Sequence, residues 1–135
     1  MKLKSVGAVC AGILFIVVVT TLVDVVLHVV GIYAPWGQAL DQVDSVIALS
    51  YRLVIGVMGG WLTALLAPRN PIRHVVILGL IGTAMAALGL IVTWNLDLGP
   101  RWYPISLVLT GLPLSWLGGK LYERRRLSFV TTWPT

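Results

Sequence analysis

The stretch "VGAVCAGILFIVVVTTLVDVVLHVV", residues 6–30, decides the fold. Asp24 and His28 are its only acidic or basic side chains, and a helix needs about 20 apolar residues to cross a hydrocarbon core. The run is much longer than the apolar region of a secretory signal. We therefore interpret it as a retained first membrane helix and not as a cleaved leader.

Three further segments reach the length of a membrane span, at residues 46–67, 75–94 and 103–122. Of the 135 residues, 58% are hydrophobic and only 11% are charged, which is too apolar for a soluble domain. Helices are expected because an open sheet leaves backbone groups unpaired in lipid. Short connections containing Gly and Pro make sequential helices antiparallel neighbours. The sequence predicts an all-α, single-domain, antiparallel bundle of four transmembrane helices, followed by a basic tail at 123–135.

Basic residues are distributed unevenly over the ends of these segments. One side of the predicted bundle has only Arg101, whereas the other side has Lys2, Lys4, Arg69, Arg73, Lys120, Arg124, Arg125 and Arg126. Basic residues near helix ends are retained in the cytoplasm, so we predict cytoplasmic termini and outward-facing loops at 31–45 and 95–102. The same bias and the attraction of the tail to anionic lipid headgroups explain the net charge of +5. We expect no nucleic-acid partner.

Three ionisable side chains lie well inside the first two predicted helices. Asp24 precedes the outer end of the first helix by six residues, and Arg52 follows the outer start of the second by six. At 1.5 Å per residue, both lie roughly 9 Å below the outer boundary. Opposite charges at one depth on antiparallel neighbours predict an Asp24–Arg52 ion pair. We expect His28, four residues from Asp24, to join it, with Thr21 extending the stripe inward and Tyr51 supplying a hydroxyl.

This predicted cluster has a structural and a functional interpretation. An ion pair can fix the register of two helices, each charge neutralising the other. Alternatively, the cluster is a site for a ligand or proton, since histidine changes its charge between about pH 5 and 8. A metal site is disfavoured because the other histidine, His74, lies at the opposite boundary and Cys10 is the single cysteine. The sequence contains no phosphate-binding loop, nucleophile with its base or paired carboxylates, so we predict no enzyme and no cofactor.

Small residues form stripes along helices two, three and four. They allow backbones to approach closely and favour helix association, either inside the bundle or in an oligomer. The predicted packing glycines are Gly56, Gly60, Gly79, Gly82, Gly89, Gly111 and Gly119.

The motifs "DVVLHVVGIYAPWGQ", "YRLVIGVMGGWLTALLAP" and "GPRWYPISLVL" with "LPLSWLGGKL" cover most of the chain between residues 24 and 121. In these motifs the chain resembles a group of small bacterial four-helix membrane proteins. The resemblance implies a location in the bacterial inner membrane, and it brings no activity and no functional residue.

Three functions fit the sequence. The first is a structural or accessory subunit that packs against a second copy or a larger membrane complex through its glycine-rich faces. The second is a proton-linked small-solute transporter that uses the Asp24, His28 and Arg52 cluster. The third is a lipid- or quinone-binding module, suggested by apolar grooves and by the aromatic residues of the outer loops. A water-accessible cavity that reaches Asp24 favours transport, and a sealed contact favours the structural role.

Overall fold

The computed structural model describes residues 2–132, which form four helices and no strands. The all-helical, four-helix part of the predicted fold is thus confirmed. The last three residues of the predicted basic tail, 133–135, lie outside the described range, whereas residues 123–132 continue the fourth helix. The elements are α1 (Lys2–Val29), α2 (Gln42–Leu66), α3 (Pro71–Thr93) and α4 (Trp102–Thr132).

Three of the helices described in residues 2–132, α1 to α3, are long and apolar enough to cross a membrane. Many of their large apolar side chains are exposed; Leu22, Leu80 and Ile91 are examples. In water such surfaces are unfavourable, whereas lipid tails cover them without a penalty. The helix α4 is less apolar on average and contains Pro113 in its interior.

Local sequence signals explain where the helices begin and end. The carboxylate of Asp41 accepts a hydrogen bond from the Asp44 backbone N–H at 2.8 Å and caps α2. That helix ends at Leu66, just before Pro68, and α3 begins with Pro71, whose missing N–H is tolerated at this position. After α1, Gly31 adopts a positive φ of 77° and turns the chain.

Close approaches of small residues hold the helices together. A side chain at Gly60 in α2 would overlap the Ser115 carbonyl of α4, and one at Gly79 in α3 would meet Leu112. The remaining predicted contacts join Gly56 to Leu114, Gly111 to Thr83 and Gly119 to Val75. The last two pairs run in opposite directions along the chain, so α3 and α4 are antiparallel. These contacts place five of the predicted packing glycines inside the bundle: Gly56, Gly60, Gly79, Gly111 and Gly119.

Two predicted packing glycines differ from this pattern. Gly82 and Gly89 of α3 are exposed, and a Cβ atom at either position would meet nothing within 4 Å. Conversely, the sequence interpretation missed three glycines that do pack. Gly12 of α1 lies against Thr63 and Gly59 of α2, and Gly118 of α4 lies against the α2 backbone at Val57.

Candidate functional site

The predicted ion pair is present near the C-terminal end of α1 and the N-terminal half of α2. Nη2 of Arg52 donates to Oδ2 of Asp24 at 2.8 Å. The adjacent residue, Tyr51, donates its hydroxyl to the other carboxylate oxygen, Oδ1. Two consecutive residues of α2, Tyr51 and Arg52, thus reach the two oxygens of one carboxylate on α1. The carboxylate therefore accepts two hydrogen bonds, one of which is an ion pair.

A second tyrosine extends this network into the loop between α1 and α2. The hydroxyls of Tyr33 and Tyr51 are 2.9 Å apart, and since the proton of Tyr51 goes to Asp24, Tyr33 is the donor. Only 5% of Tyr33 is exposed, and its backbone N–H bonds to the Leu27 carbonyl at 3.1 Å. Burial raises the pKa of the Tyr33 phenol, the Tyr51 hydrogen bond partly opposes this, and the Asp24 charge adds to it.

His28 lies beside the ion pair but does not bond to the carboxylate, which differs from the sequence prediction. Its Nδ1 is 2.7 Å from the backbone carbonyl oxygen of Asp24, one helical turn earlier. The ring stacks on Trp36 with centroids 3.7 Å apart and planes 6° from parallel, and it meets the edge of Tyr33 at 5.2 Å. His28 thus forms, with Trp36 and Tyr33, an aromatic wall next to the pair.

The prediction that Thr21 belongs to the cluster is wrong. Thr21 is exposed on α1 and takes no part in the hydrogen bonds around Asp24. Three residues before Asp24 in the helix, it is rotated by about 60° around the helix axis, and its side chain stays exposed. The stripe ends at Asp24 and does not continue inward.

A cavity of about 420 Å³ opens between the α1–α2 loop and the α3–α4 loop and reaches the ion pair. The side chain of Arg52 keeps 30% exposure and that of Asp24 keeps 24%. Residues from all four helices and from both loops contribute to the wall, including Tyr33, Trp36, Trp94, Asp97, Arg101 and Tyr103. The pair is therefore at the bottom of an accessible pocket and is not a sealed contact.

The charges that line this cavity are balanced. Asp24 and Asp97 supply two carboxylates, and Arg52 and Arg101 supply two guanidinium groups. The Arg52 guanidinium also lies 5.8 Å from the ring centre of Tyr103, and Arg101 lies 4.8 Å from that of Trp94. These distances are within the range of cation–π attraction. The cavity thus combines aromatic faces with both signs of charge.

Two donors beneath the cavity have no hydrogen-bond partner among the described residues: Nε of Arg52 and the hydroxyl of Tyr103. Buried polar groups are nearly always paired in folded proteins, so each exception calls for an explanation. A pair that only locks two helices is most stable when its remaining donors are satisfied. Thr63 and Thr83, which do not line the cavity, also have buried hydroxyls without a partner among the described residues, so unpaired donors are not peculiar to this site.

Contacts between the loops fix the mouth of the cavity. The Leu40 N–H donates to the Leu98 carbonyl at 3.0 Å, and Nε1 of Trp102 donates to Oε1 of Gln42 at 2.8 Å. Gly99 adopts a φ of 146°, and a Cβ atom there would lie 2.9 Å from the Leu40 carbonyl oxygen. This position requires glycine for both its conformation and its space.

The sequence interpretation missed Tyr33, Trp36 and Tyr103 as members of the site. Their signal was available, since aromatic residues cluster in both outer loops, but such residues are also typical of any membrane interface. Within the described part of the chain, no three His, Cys, Asp or Glu side chains converge to hold a metal ion.

Fold and site together define a class: a small helical protein with three helices, among those described, that are long and apolar enough to cross a membrane, and a polar, aromatic-walled cavity at one end. No protein family, curated protein or solved structure matches this chain. Its function must be inferred from the geometry of the site.

Proposed function

We propose that this protein is a proton-linked carrier of a small solute in the bacterial inner membrane. In this proposal all four helices span the membrane, both termini are cytoplasmic and the cavity opens outward. The crowding of lysines and arginines at the opposite end of the bundle supports this orientation. The close packing of α4 against α2 and α3, at Gly60 and Gly111 for example, supports a fourth span.

The observation that carries the proposal is the depth of the cavity. It extends from the loops to the Asp24–Arg52 pair, and both side chains remain partly accessible. A charged side chain inside a membrane helix is costly unless an opposite charge neutralises it. Access to water or ligand gives the Asp24–Arg52 pair a use beyond fixing the register of two helices. A purely structural pair needs no such access.

The balanced charges favour a zwitterionic solute of the amino-acid type. Its carboxylate would bond to Arg52 and its ammonium group to Asp24, so each charge keeps an opposite partner during exchange. A solute with net charge would leave one of these groups unpaired in a site of low dielectric constant. The stacked rings of His28 and Trp36 offer a flat wall for an apolar side chain.

Proton linkage is the second part of the proposal, and it rests on the hydrogen bonds that end at Asp24. When a solute carboxylate occupies Arg52, the solute ammonium group replaces Arg52 as the partner of the Asp24 carboxylate. The hydroxyls of Tyr51 and Tyr33 lie next to Asp24 and lead toward the loop, which gives the proton a hydrogen-bonded route.

The test is uptake by vesicles containing the purified protein. A panel of labelled glycine, leucine, glycine betaine and glucose is offered while a trapped dye reports internal pH, at external pH values of about 5 to 8. We expect uptake of at least one zwitterion, with proton entry, above the level of protein-free vesicles. If no solute and no proton crosses faster than in those vesicles, the carrier proposal is wrong.

Matched variants show whether uptake depends on the site. Arg52→Gln is expected to reduce uptake about thirtyfold or more, because truncating one partner of a hydrogen-bonded charge pair costs about 2 kcal/mol or more. Tyr103→Phe removes only the unpaired hydroxyl and is expected to leave the fold intact. Thr21→Val is the control, since Thr21 lies on the exposed side of α1. Equal activity of Arg52→Gln and Thr21→Val would contradict the site.

A second candidate is an accessory subunit, and one observation favours it. Gly82 and Gly89 form an exposed, unfilled strip on α3, where another helix can approach closely. Gly82→Leu and Gly89→Leu would then abolish co-purification of a second copy or of a larger complex in mild detergent. Unchanged assembly would exclude this strip as the interface.

A further inference from the structure

A second and larger cavity lies at the opposite end of the bundle, between α1 and α3. Its volume is about 780 Å³. The two helices run side by side and approach closely near Gly12, where a Cβ atom would lie 3.3 Å from Leu78. Toward their N-terminal ends they leave a groove. Its walls are apolar and consist of Val6, Val9, Ile13, Ile77 and Ile81.

The rim of this groove is basic. Lys2, Arg69, Arg73 and His74 line it, and no acidic side chain does so. In residues 2–132 the acidic partners of ion pairs are Asp24 and Glu123, which bind Arg52 and Lys120. Within residues 2–132, Lys2, Arg69 and Arg73 therefore have no acidic side chain as an ion-pair partner. They form a site that complements an anion.

The start of α3 adds to this positive field. Asn70 occupies the N-cap with φ 47° and ψ 68°, and its side chain makes no capping hydrogen bond. The N–H groups of a first helical turn lack partners within the helix, and the helix dipole places partial positive charge there. Pro71 has no N–H and the Arg73 N–H donates to the Asn70 carbonyl at 3.1 Å. This end therefore contributes mainly the positive field of the helix dipole, which adds to the charges of Arg69 and Arg73 in attracting a phosphate.

The shape of the groove excludes a free phosphate as the full occupant. From Arg73 to Ile81 the α3 wall extends roughly 12 Å at 1.5 Å per residue. Its side chains are apolar, so they offer nothing to an inorganic anion but cover a hydrocarbon chain favourably. An occupant that matches both parts has an anionic head and an apolar tail.

We propose that this groove binds one anionic phospholipid. The headgroup phosphate lies between Lys2, Arg69, Arg73 and the start of α3, and one acyl chain follows the groove between α1 and α3. A phosphatidylcholine headgroup carries a cation that would be repelled by the basic rim. The site therefore selects phosphatidylglycerol over phosphatidylcholine. It is independent of the solute cavity, which lies at the other end of the bundle.

Native mass spectrometry of the detergent-purified chain tests this assignment. The protein is titrated with phosphatidylglycerol, with phosphatidylcholine and with inorganic phosphate, and lipid adducts are counted. We expect a first phosphatidylglycerol adduct that is at least about tenfold tighter than that of phosphatidylcholine, and that phosphate does not displace. Equal affinity for the two lipids would overturn the proposal, and displacement by phosphate would show an anion site without a lipid groove.

A charge-matched pair of variants separates a built site from general attraction. Arg69→Gln with Arg73→Gln is expected to weaken the first adduct about thirtyfold, from the contribution of each basic residue near an anionic headgroup. Arg124→Gln with Arg126→Gln removes the same charge from exposed positions of α4 and should leave that adduct unchanged. Equal weakening by both double variants would refute a specific site.

A groove-filling variant tests the acyl-chain part while keeping every basic residue. Cys10 is exposed and lines the groove, so Cys10→Phe places a ring where the chain is expected. Phosphatidylglycerol binding should fall about tenfold or more. Val18→Phe, at an exposed position of α1 outside the cavity, is the control for added bulk. If Cys10→Phe binds as tightly as the Val18→Phe control, the acyl chain does not lie in the groove.

Discussion

Replacing Gly60 by alanine changes stability in two opposite ways, through helix propensity and through the packing of α2 against α4. In a helix interior, alanine is favoured over glycine by about 1 kcal/mol. At Gly60 the added Cβ would lie 2.9 Å from the Ser115 Cα and 3.0 Å from its carbonyl carbon. These are backbone atoms that cannot rotate away, so the overpacking penalty should be near the upper end of about 1 to 3 kcal/mol. We expect a net destabilisation of about 2 kcal/mol.

Gly82→Ala is the matched control, because it makes the same chemical change in a neighbouring helix. A Cβ atom there meets nothing within 4 Å, so only the gain of about 1 kcal/mol should remain. The two variants should differ by about 3 kcal/mol, or about 10 °C in the midpoint of thermal unfolding. Circular dichroism in one mild detergent measures both. If Gly60→Ala unfolds at the same temperature as Gly82→Ala, α2 and α4 do not pack as described.

Three further predictions concern the end of the bundle that contains the Asp24–Arg52 pair. Asp24→Asn and Arg52→Gln should show a coupling of about 1 to 2 kcal/mol in a double-mutant cycle, since the pair is only partly buried; an additive double variant would refute the pairing. The folded state raises the pKa of the Tyr33 phenol above its ordinary value of 10.0. The protonated phenol therefore contributes fully to the free energy of unfolding below pH 10.0, and this contribution is lost as pH rises through the pKa of the folded state. Tyr33→Phe should therefore unfold less on alkaline titration, and an identical titration would contradict this. Gly99→Ala should cost about 1 to 3 kcal/mol locally and speed hydrogen exchange at the Leu40 N–H, whereas unchanged exchange would show that the contact is absent.

The depth of the ion pair was predictable because it depends only on arithmetic along the helix. Asp24 and Arg52 lie at equal distances from the ends of consecutive apolar segments, and a fixed rise per residue places them at one level. The absence of Thr21 from the cluster was not predictable in the same way. Residues of α1 are apolar nearly all round the helix, so their pattern does not reveal which face meets α2.

The packing glycines also show which features the sequence reveals and which depend on the tertiary structure. Gly60 and Gly82 belong to stripes that are alike in sequence, with small residues at steps of three or four. Only Gly60 faces a neighbouring helix, whereas Gly82 faces outward. Small-residue spacing identifies helices that can approach closely, but the rotation of each helix decides which stripe is used.

The sequence by itself determined four helices, the apolarity of three of them, and one opposite-charge pair at a common depth. These properties follow from composition, segment length and helical rise, which are local. The tertiary structure decided that Tyr33 and Tyr103 join the pair, that His28 stacks on Trp36, and that cavities open at both ends of the bundle. These features depend on how loops and rotated helices meet, because the contacts join residues far apart in the chain.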